Sequence, residues 1–145
     1  ALQASDAICS ALQLTNFWQD FSEDIPNKRC YLADEWLNPL NISREDVLSG
    51  QVGIKQLRPA INQAIGETEG LFDQGYALLP YLPWRLRLQI AATLAGGSSI
   101  LAATKALTNP LEERPTLGKL DWLKISLSIV SMALRPNYYS KRGSA

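Results

Sequence analysis

Histidine is missing from the chain altogether. That absence excludes His-based catalytic triads, zinc sites built on imidazole and imidazole general bases. Cysteine is scarce: Cys9 and Cys30 lack metal-type spacing and read as reduced, intracellular thiols. Neither sign of charge is in excess, with 14 Lys plus Arg against 14 Asp plus Glu. A formal net charge of zero leaves no electrostatic case for nucleic acid or for an anionic membrane surface. No uninterrupted apolar run reaches the roughly 18 residues of a bilayer span. The longest candidate, Leu120 to Leu134, is interrupted by Asp121 and Lys124. Ala1 begins directly in a helical pattern instead of the charged and apolar regions of a signal peptide. Asn41-Ile42-Ser43 fits a glycosylation sequon, but nothing else points to secretion. Sustained period-two alternation, long heptad series, internal repeats and low-complexity tracts are also lacking, which argues against sheets and coiled coils.

What is present reads as one all-α domain. A chain of 145 residues with 46% apolar content can bury a sizeable core. One helix is expected over residues 1–24, with Leu2, Ile8, Leu12 and several aromatics on its buried side. It starts uncapped, the pattern of a domain continued upstream. Residues 25–40 read as a loop that wraps back over the acidic face of that helix. Ser43 and Asp46 resemble a capping box that opens a short segment, Arg44 to Leu48, ended by Gly50. A longer helix runs from about Lys55 to Leu79 with Pro59 in its first turn, and Pro80 and Pro83 separate it from the next, about Trp84 to Leu107. That helix contains Gly96-Gly97, two residues that each cost roughly 1 kcal/mol in a helix interior; close helix packing is favoured over ligand binding as their reason. A last helix spans Leu120 to Leu134 and stops before Pro136. The domain is placed at 1–136 and a polar, frayed tail at 137–145.

The chemistry concentrates in the first helix. Asn16, Asp20 and Asp24 recur every four residues, a step of about 400° that keeps them on one face. Gln13 joins them one turn earlier, while Leu12, Leu14, Phe17, Trp18 and Phe21 occupy the other side. Pro26 disfavours the α conformation at Ile25, so Glu23 and Asp24 fall in the last turn, against the helix dipole. Carboxylates there cost roughly 0.3–1 kcal/mol, and a sequence shaped only for stability would place Lys or Arg. Two carboxylates and an amide oxygen are hard donors suited to Mg²⁺, which commonly bridges carboxylates to a phosphate. Spacing alone favours the plainer reading of a solvated acidic face. Lys28 and Arg29, close behind Asp24, either neutralise Glu23 and Asp24 or bind diphosphate. Tyr31 and Leu32 pin the loop to the core in the plainer reading.

Asn16-Phe17-Trp18-Gln19-Asp20-Phe21-Ser22-Glu23-Asp24, preceded by Gln13 and followed by Arg29, Tyr31 and Leu32, resembles the second aspartate-rich motif of the squalene/phytoene synthase family. That motif reads approximately Gln-x-x-Asn-x-x-x-Asp-x-x-x-Asp, then a basic linker and Arg-x-Tyr-Leu-Pro. Asp34-Glu35-Trp36-Leu37, Gly75 to Pro80, Arg85-Leu86-Arg87, Gly96-Gly97 and Glu113-Arg114-Pro115 extend the likeness over nearly the whole chain. The resemblance implies an isoprenoid synthase-type helical bundle in which two aspartate-rich motifs bind a prenyl diphosphate through Mg²⁺. Asp20 and Asp24 are then catalytic, Asn16, Asp20 and Asp24 are metal ligands, and Gln13, Asn16, Lys28, Arg29 and Tyr31 bind substrate. Phe17, Trp18 and Phe21 could stabilise a carbocation by cation–π contact, with core packing the favoured role for most.

Within the family, Asn-Phe-Trp-Gln-Asp is most similar to the hydroxysqualene synthase branch of hopanoid biosynthesis, which converts presqualene diphosphate to hydroxysqualene with water. Squalene and phytoene synthases usually carry Arg where this chain has Gln19, and Ala33 replaces the family's usual Pro. No earlier aspartate-rich motif precedes Asp20, and Asp6 stands alone. The chain therefore resembles the family's C-terminal half. It is expected to be inactive alone and to need the missing half or a dimer partner. Two alternatives stay open: head-to-head condensation of two prenyl diphosphates such as farnesyl diphosphate, or a non-catalytic helical remnant acting as an interaction module. The expected location is cytoplasmic, with peripheral contact at the inner membrane suited to very apolar products.

Overall fold

The apolar spacing is most regular over residues 54–76, which form one unbroken helix of 23 residues. A computed structural model describes residues 2–141. Its α-helices are α1 (Leu2–Gln19), α2 (Phe21–Asp24), α3 (Asp34–Leu37), α4 (Arg44–Leu48), α5 (Ile54–Tyr76), α6 (Trp84–Ala106), α7 (Lys119–Leu134) and α8 (Pro136–Ser140). Single 3-10 turns lie at Asn38–Leu40 and Leu79–Tyr81, and no strand occurs among the described residues. The all-α expectation is borne out.

The core forms where α1, α5 and α6 meet, each contributing one face. On α1 the buried residues are Ala4, Ala7, Ile8, Ala11, Thr15 and Trp18, a stripe at three- and four-residue steps. From α5 come Leu57, Ile61, Ala64, Ile65, Thr68 and Phe72, and from α6 come Ala91, Leu94, Ala95 and Leu101. Each large apolar side chain so buried contributes about 1.5–3 kcal/mol. Small residues let the helices approach closely. A Cβ on Gly75 would stand 2.6 Å from Ile8 of α1, and one on Gly97 would stand 2.8 Å from both Leu12 and Phe72. Gly97 is thus a packing residue, whereas Gly96 faces open space.

One polar chain crosses this core. The Trp18 indole N–H donates to Thr68 Oγ1 at 2.8 Å, and the Thr68 hydroxyl donates to the Ala64 carbonyl at 2.8 Å. Trp18 is also flanked by Phe21 and Trp36, with ring centroids at 5.5 and 6.1 Å. Buried and fully bonded, the indole fixes the rotation of α1 about its own axis.

Several expectations need correcting. The helix expected over 1–24 is interrupted at Asp20, where φ is −103° and ψ 13°, and restarts as α2. The 25–40 loop contains α3 and a 3-10 turn, whose buried Leu37 anchors it to the core. Pro59 is the sixth residue of α5, past the first turn in which it was expected, since that helix begins at Ile54. Its missing N–H would have bonded the carbonyl of Lys55, an exposed residue where solvent can serve instead. The polar tail is helical to Ser140: Tyr139 donates to Ser131 Oγ at 3.0 Å and its ring meets Tyr76 at 5.7 Å. The rest of that tail, 142–145, lies outside the described residues, as does Ala1. Finally, α6 is long and apolar enough, by length and composition, to cross a membrane. Counting uninterrupted apolar runs misses it because Gly and Ser dilute the segment, and here it packs against α1, α5 and α7.

The expected capping box forms: Ser43 Oγ accepts from the Asp46 N–H at 3.1 Å and the Ser43 N–H donates to Asp46 Oδ2 at 2.8 Å. The Ser43 hydroxyl, which donates to Asp46 Oδ2 at 2.6 Å, and then the Ser43 N–H hold the Asp46 carboxyl below the usual carboxylate range. By contrast, α7 leaves Leu120, Trp122, Leu123, Leu127, Val130 and Leu134 more than half exposed. Leu123, Leu127, Val130 and Leu134 follow steps of four, three and four, an apolar stripe without a cover among the described residues.

Gly96→Ala and Gly97→Ala gain the same helix propensity but differ in space. Gly97→Ala is therefore expected to be about 1–3 kcal/mol less stable than Gly96→Ala, the usual cost of overpacking, measured by urea denaturation.

Candidate metal and diphosphate site

Burial of Trp18 and Phe21 behind α1 and α2 leaves the opposite side to solvent, and that side carries the predicted residues. Gln13 and Asn16 are exposed, while Asp20 and Asp24 are half-buried. Asn16 Oδ1 accepts from Gln19 Nε2 at 3.2 Å. At Asp20 the main-chain carbonyl accepts from the N–H groups of Glu23 at 3.0 Å and Asp24 at 2.8 Å, which opens α2. The Asp20 side chain makes no cap to this turn. Asn16 thus belongs to α1, Asp20 to the junction and Asp24 to α2, so the three-residue ladder expected of one straight helix bends at its second member.

The carboxylates have cationic partners. Arg114 Nη2 donates to Asp20 Oδ1 at 2.5 Å and Arg114 Nη1 to Glu23 Oε1 at 2.6 Å, one guanidinium spanning two side chains. Arg29 Nη1 lies 3.7 Å from Asp24 Oδ1. These contacts offset the unfavourable charge that Glu23 and Asp24 bring near a helix end. Arg114 is the residue that sequence reading missed as part of the site. It is 94 residues from Asp20, and no spacing rule connects them.

The two basic residues after the motif diverge. Lys28 adopts φ 61°, a left-handed conformation that reverses the chain and returns the Arg29 N–H to the Asp24 carbonyl at 2.9 Å. The same reversal sends Lys28 Nζ to the Leu48 carbonyl at 2.9 Å, whereas Arg29 stays beside Asp24. Tyr31 stacks on Phe17 with centroids 3.9 Å apart and planes within 9°, and Leu32 beneath it is fully buried. Leu32 pins the loop to the core as expected, while Tyr31 is held by its stack on Phe17 and stays 40% exposed. Trp18 and Phe21 are core residues, at 1% and 2% exposure, so of the three candidate cation–π aromatics only Phe17 is partly open.

No group of three His, Cys, Asp or Glu side chains able to hold a metal is present among the described residues. The donor chemistry still suits Mg²⁺, which keeps several waters and is held by one or two carboxylates plus phosphate instead of an all-protein cage. Asn16, Asp20 and Asp24 fit the ion as one wall of a site. The groove of about 490 Å³ between α6 and α7, lined in part by Ala103, Leu117 and Lys124, includes none of them.

The family model for squalene/phytoene synthase matches residues 1–121. Among curated proteins, the hydroxysqualene synthase of Sinorhizobium fredii (strain NBRC 101917 / NGR234) is 29% identical over 122 residues, covering 83% of this chain and 41% of that protein. The hydroxysqualene synthase of Rhodopseudomonas palustris (strain ATCC BAA-98 / CGA009) is 26% identical over 145 residues, covering 96% of this chain and 48% of that protein. The chain spans less than half the length of these curated relatives. No solved structure matches it significantly.

Arg114 and its partners are substantially exposed, at 48% for Arg114, 29% for Asp20 and 56% for Glu23. Ion pairs of that kind are worth about 0–1 kcal/mol. Arg114→Gln should therefore unfold in urea within about 1 kcal/mol of the parent chain.

Proposed function

Because the chain belongs to the squalene/phytoene synthase family, we propose that it forms one metal- and diphosphate-binding wall of an isoprenoid-pathway enzyme acting on presqualene diphosphate. The product in this reading is hydroxysqualene: presqualene diphosphate plus water gives hydroxysqualene plus diphosphate. The observation that carries it is the face of Asn16, Asp20 and Asp24, held outward by a buried Trp18 and matched to the family motif.

Asn16, Asp20 and Asp24 would hold Mg²⁺, which supplies charge stabilisation for the departing diphosphate. Arg29, already beside Asp24, is placed to meet phosphate oxygens with its planar fork. Gln13 extends the polar face one turn along α1. Tyr31, stacked on Phe17, forms an aromatic rim that keeps water from the reacting carbons. Lys28 takes part only if its side chain leaves the Leu48 carbonyl.

Two observations favour water capture over head-to-head condensation. Both curated relatives reported above bear the name hydroxysqualene synthase. Gln19, where squalene and phytoene synthases usually have Arg, is neutral and hydrogen-bonded to Asn16, one of the proposed ligands. The exposed stripe of α7 is the surface on which we place the remainder of the enzyme, the missing half or a partner copy. Cytoplasmic location with peripheral contact at the inner membrane, and a hopanoid product, belong to the same proposal.

The test is product analysis. The complete enzyme, incubated with presqualene diphosphate and Mg²⁺, should yield hydroxysqualene, and Asp20→Asn should lower kcat/KM about 10²-fold or more, the scale for one lost transition-state contact. Residues 1–145 alone should be inactive. A hydrocarbon product would instead favour condensation, and no product from the complete protein would favour the interaction module.

A further inference from the structure

Arg114 occupies a position that the proposed chemistry needs vacated. Its two terminal nitrogens contact Asp20 at 2.5 Å and Glu23 at 2.6 Å, so the central ligand of the expected metal triad already carries a cation. Among the described residues the side-chain oxygen of Asn16 accepts from the Gln19 amide and from no cation. The contact to Asp24 is looser, with Arg29 at 3.7 Å. Within the triad, close cationic contact is therefore concentrated on Asp20.

Arg114 reaches this place from the connection between α6 and α7, whose two ends are tethered. Arg58 Nη2 donates to the carbonyls of Leu107, at 3.2 Å, and Thr108 at one end. Near it a turn returns the N–H groups of Glu112 and Glu113 to the Asn109 carbonyl, at 3.1 and 3.0 Å. At the other end Gly118 N–H donates to Asp121 Oδ2 at 2.9 Å. Between these tethers the Arg114 side chain is half exposed and is held by its two carboxylates. Exposed ion pairs are weak enough for a divalent cation to displace, and a long side chain can leave without moving its backbone.

We infer that Arg114 is a built-in counter-ion that competes with the divalent cation for Asp20, with Glu23 as the site to which it withdraws. This inference rests on Asp20 being a metal ligand. In the metal-free protein the guanidinium neutralises the acidic face. On loading, the metal takes Asp20 and Arg114 keeps only Glu23, so Arg114 sets the metal affinity without itself being a ligand.

The experiment is titration of the chain with Mn²⁺, a paramagnetic reporter for the Mg²⁺ position, with free Mn²⁺ read by electron paramagnetic resonance. Arg114→Gln should bind Mn²⁺ about two- to fivefold tighter than the parent, the factor that an exposed ion pair represents. In an Asp20→Asn background that gain should vanish, a coupling that a general change in surface charge would not show. A gain that survives Asp20→Asn, or an unchanged or weaker affinity in Arg114→Gln, overturns the competition while leaving Asp20 as a ligand if Asp20→Asn alone weakens binding. Should Asp20→Asn alone change nothing, the metal-site reading falls and the competition falls with it. Circular dichroism melts of each variant confirm that the titrations compare folded proteins.

Discussion

The buried back of α1 is the constraint on which the candidate site depends. Trp18 is sealed between Phe21, Trp36 and α5, and its indole N–H is satisfied by Thr68. Leaving such a donor unpaired would cost about 1–3 kcal/mol, so α1 cannot roll without breaking a bond that nothing else replaces. Gly75 and Gly97 reinforce this by admitting Ile8 and Leu12 at distances a Cβ would forbid. With one side of α1 fixed, Gln13, Asn16 and Asp20 have only the solvent side to occupy. The polar face is thus a consequence of apolar packing.

Charge then decides what that face can hold. Asp20, Glu23 and Asp24 crowd the junction of α1 and α2, and only one nearby cation from the local sequence, Arg29, turns toward them. The second arrives from the connection between α6 and α7 as Arg114. Because the pairs are exposed, they add little to stability and impose little cost on release. A face neutralised by weakly held cations and built from hard oxygen donors is suited to exchange with Mg²⁺. That physical suitability and the family membership point the same way.

Much of the fold was legible in the sequence because α5 keeps a regular helical apolar spacing and the breaks between helices are marked by Pro80, Pro83 and Pro136. The interruption at Asp20 was not legible, since neither Gly nor Pro marks it. Helices α3 and α8 escaped because segments of four or five residues are too short for periodicity to show. The aspartate face was legible as a pattern, and its assignment came from the family motif. Arg114 was visible only as one residue in a matching stretch, because a contact across 94 residues is set by tertiary packing. The last helix was legible from Leu120 to Leu134, but the sequence carried no sign that its apolar stripe is left bare.

The most direct test of the account is whether the face of α1 and α2 binds diphosphate through a divalent cation. Phosphorus NMR of inorganic diphosphate, titrated with the chain in the presence and absence of Mg²⁺, reports even weak binding. Binding should require Mg²⁺ and should weaken at least about tenfold in Asp20→Ala and in Asp24→Ala, the scale on which metal sites respond to altered ligation. Binding that ignores Mg²⁺, or that both substitutions leave intact, would contradict the central claim and leave the aspartates as a solvated acidic face.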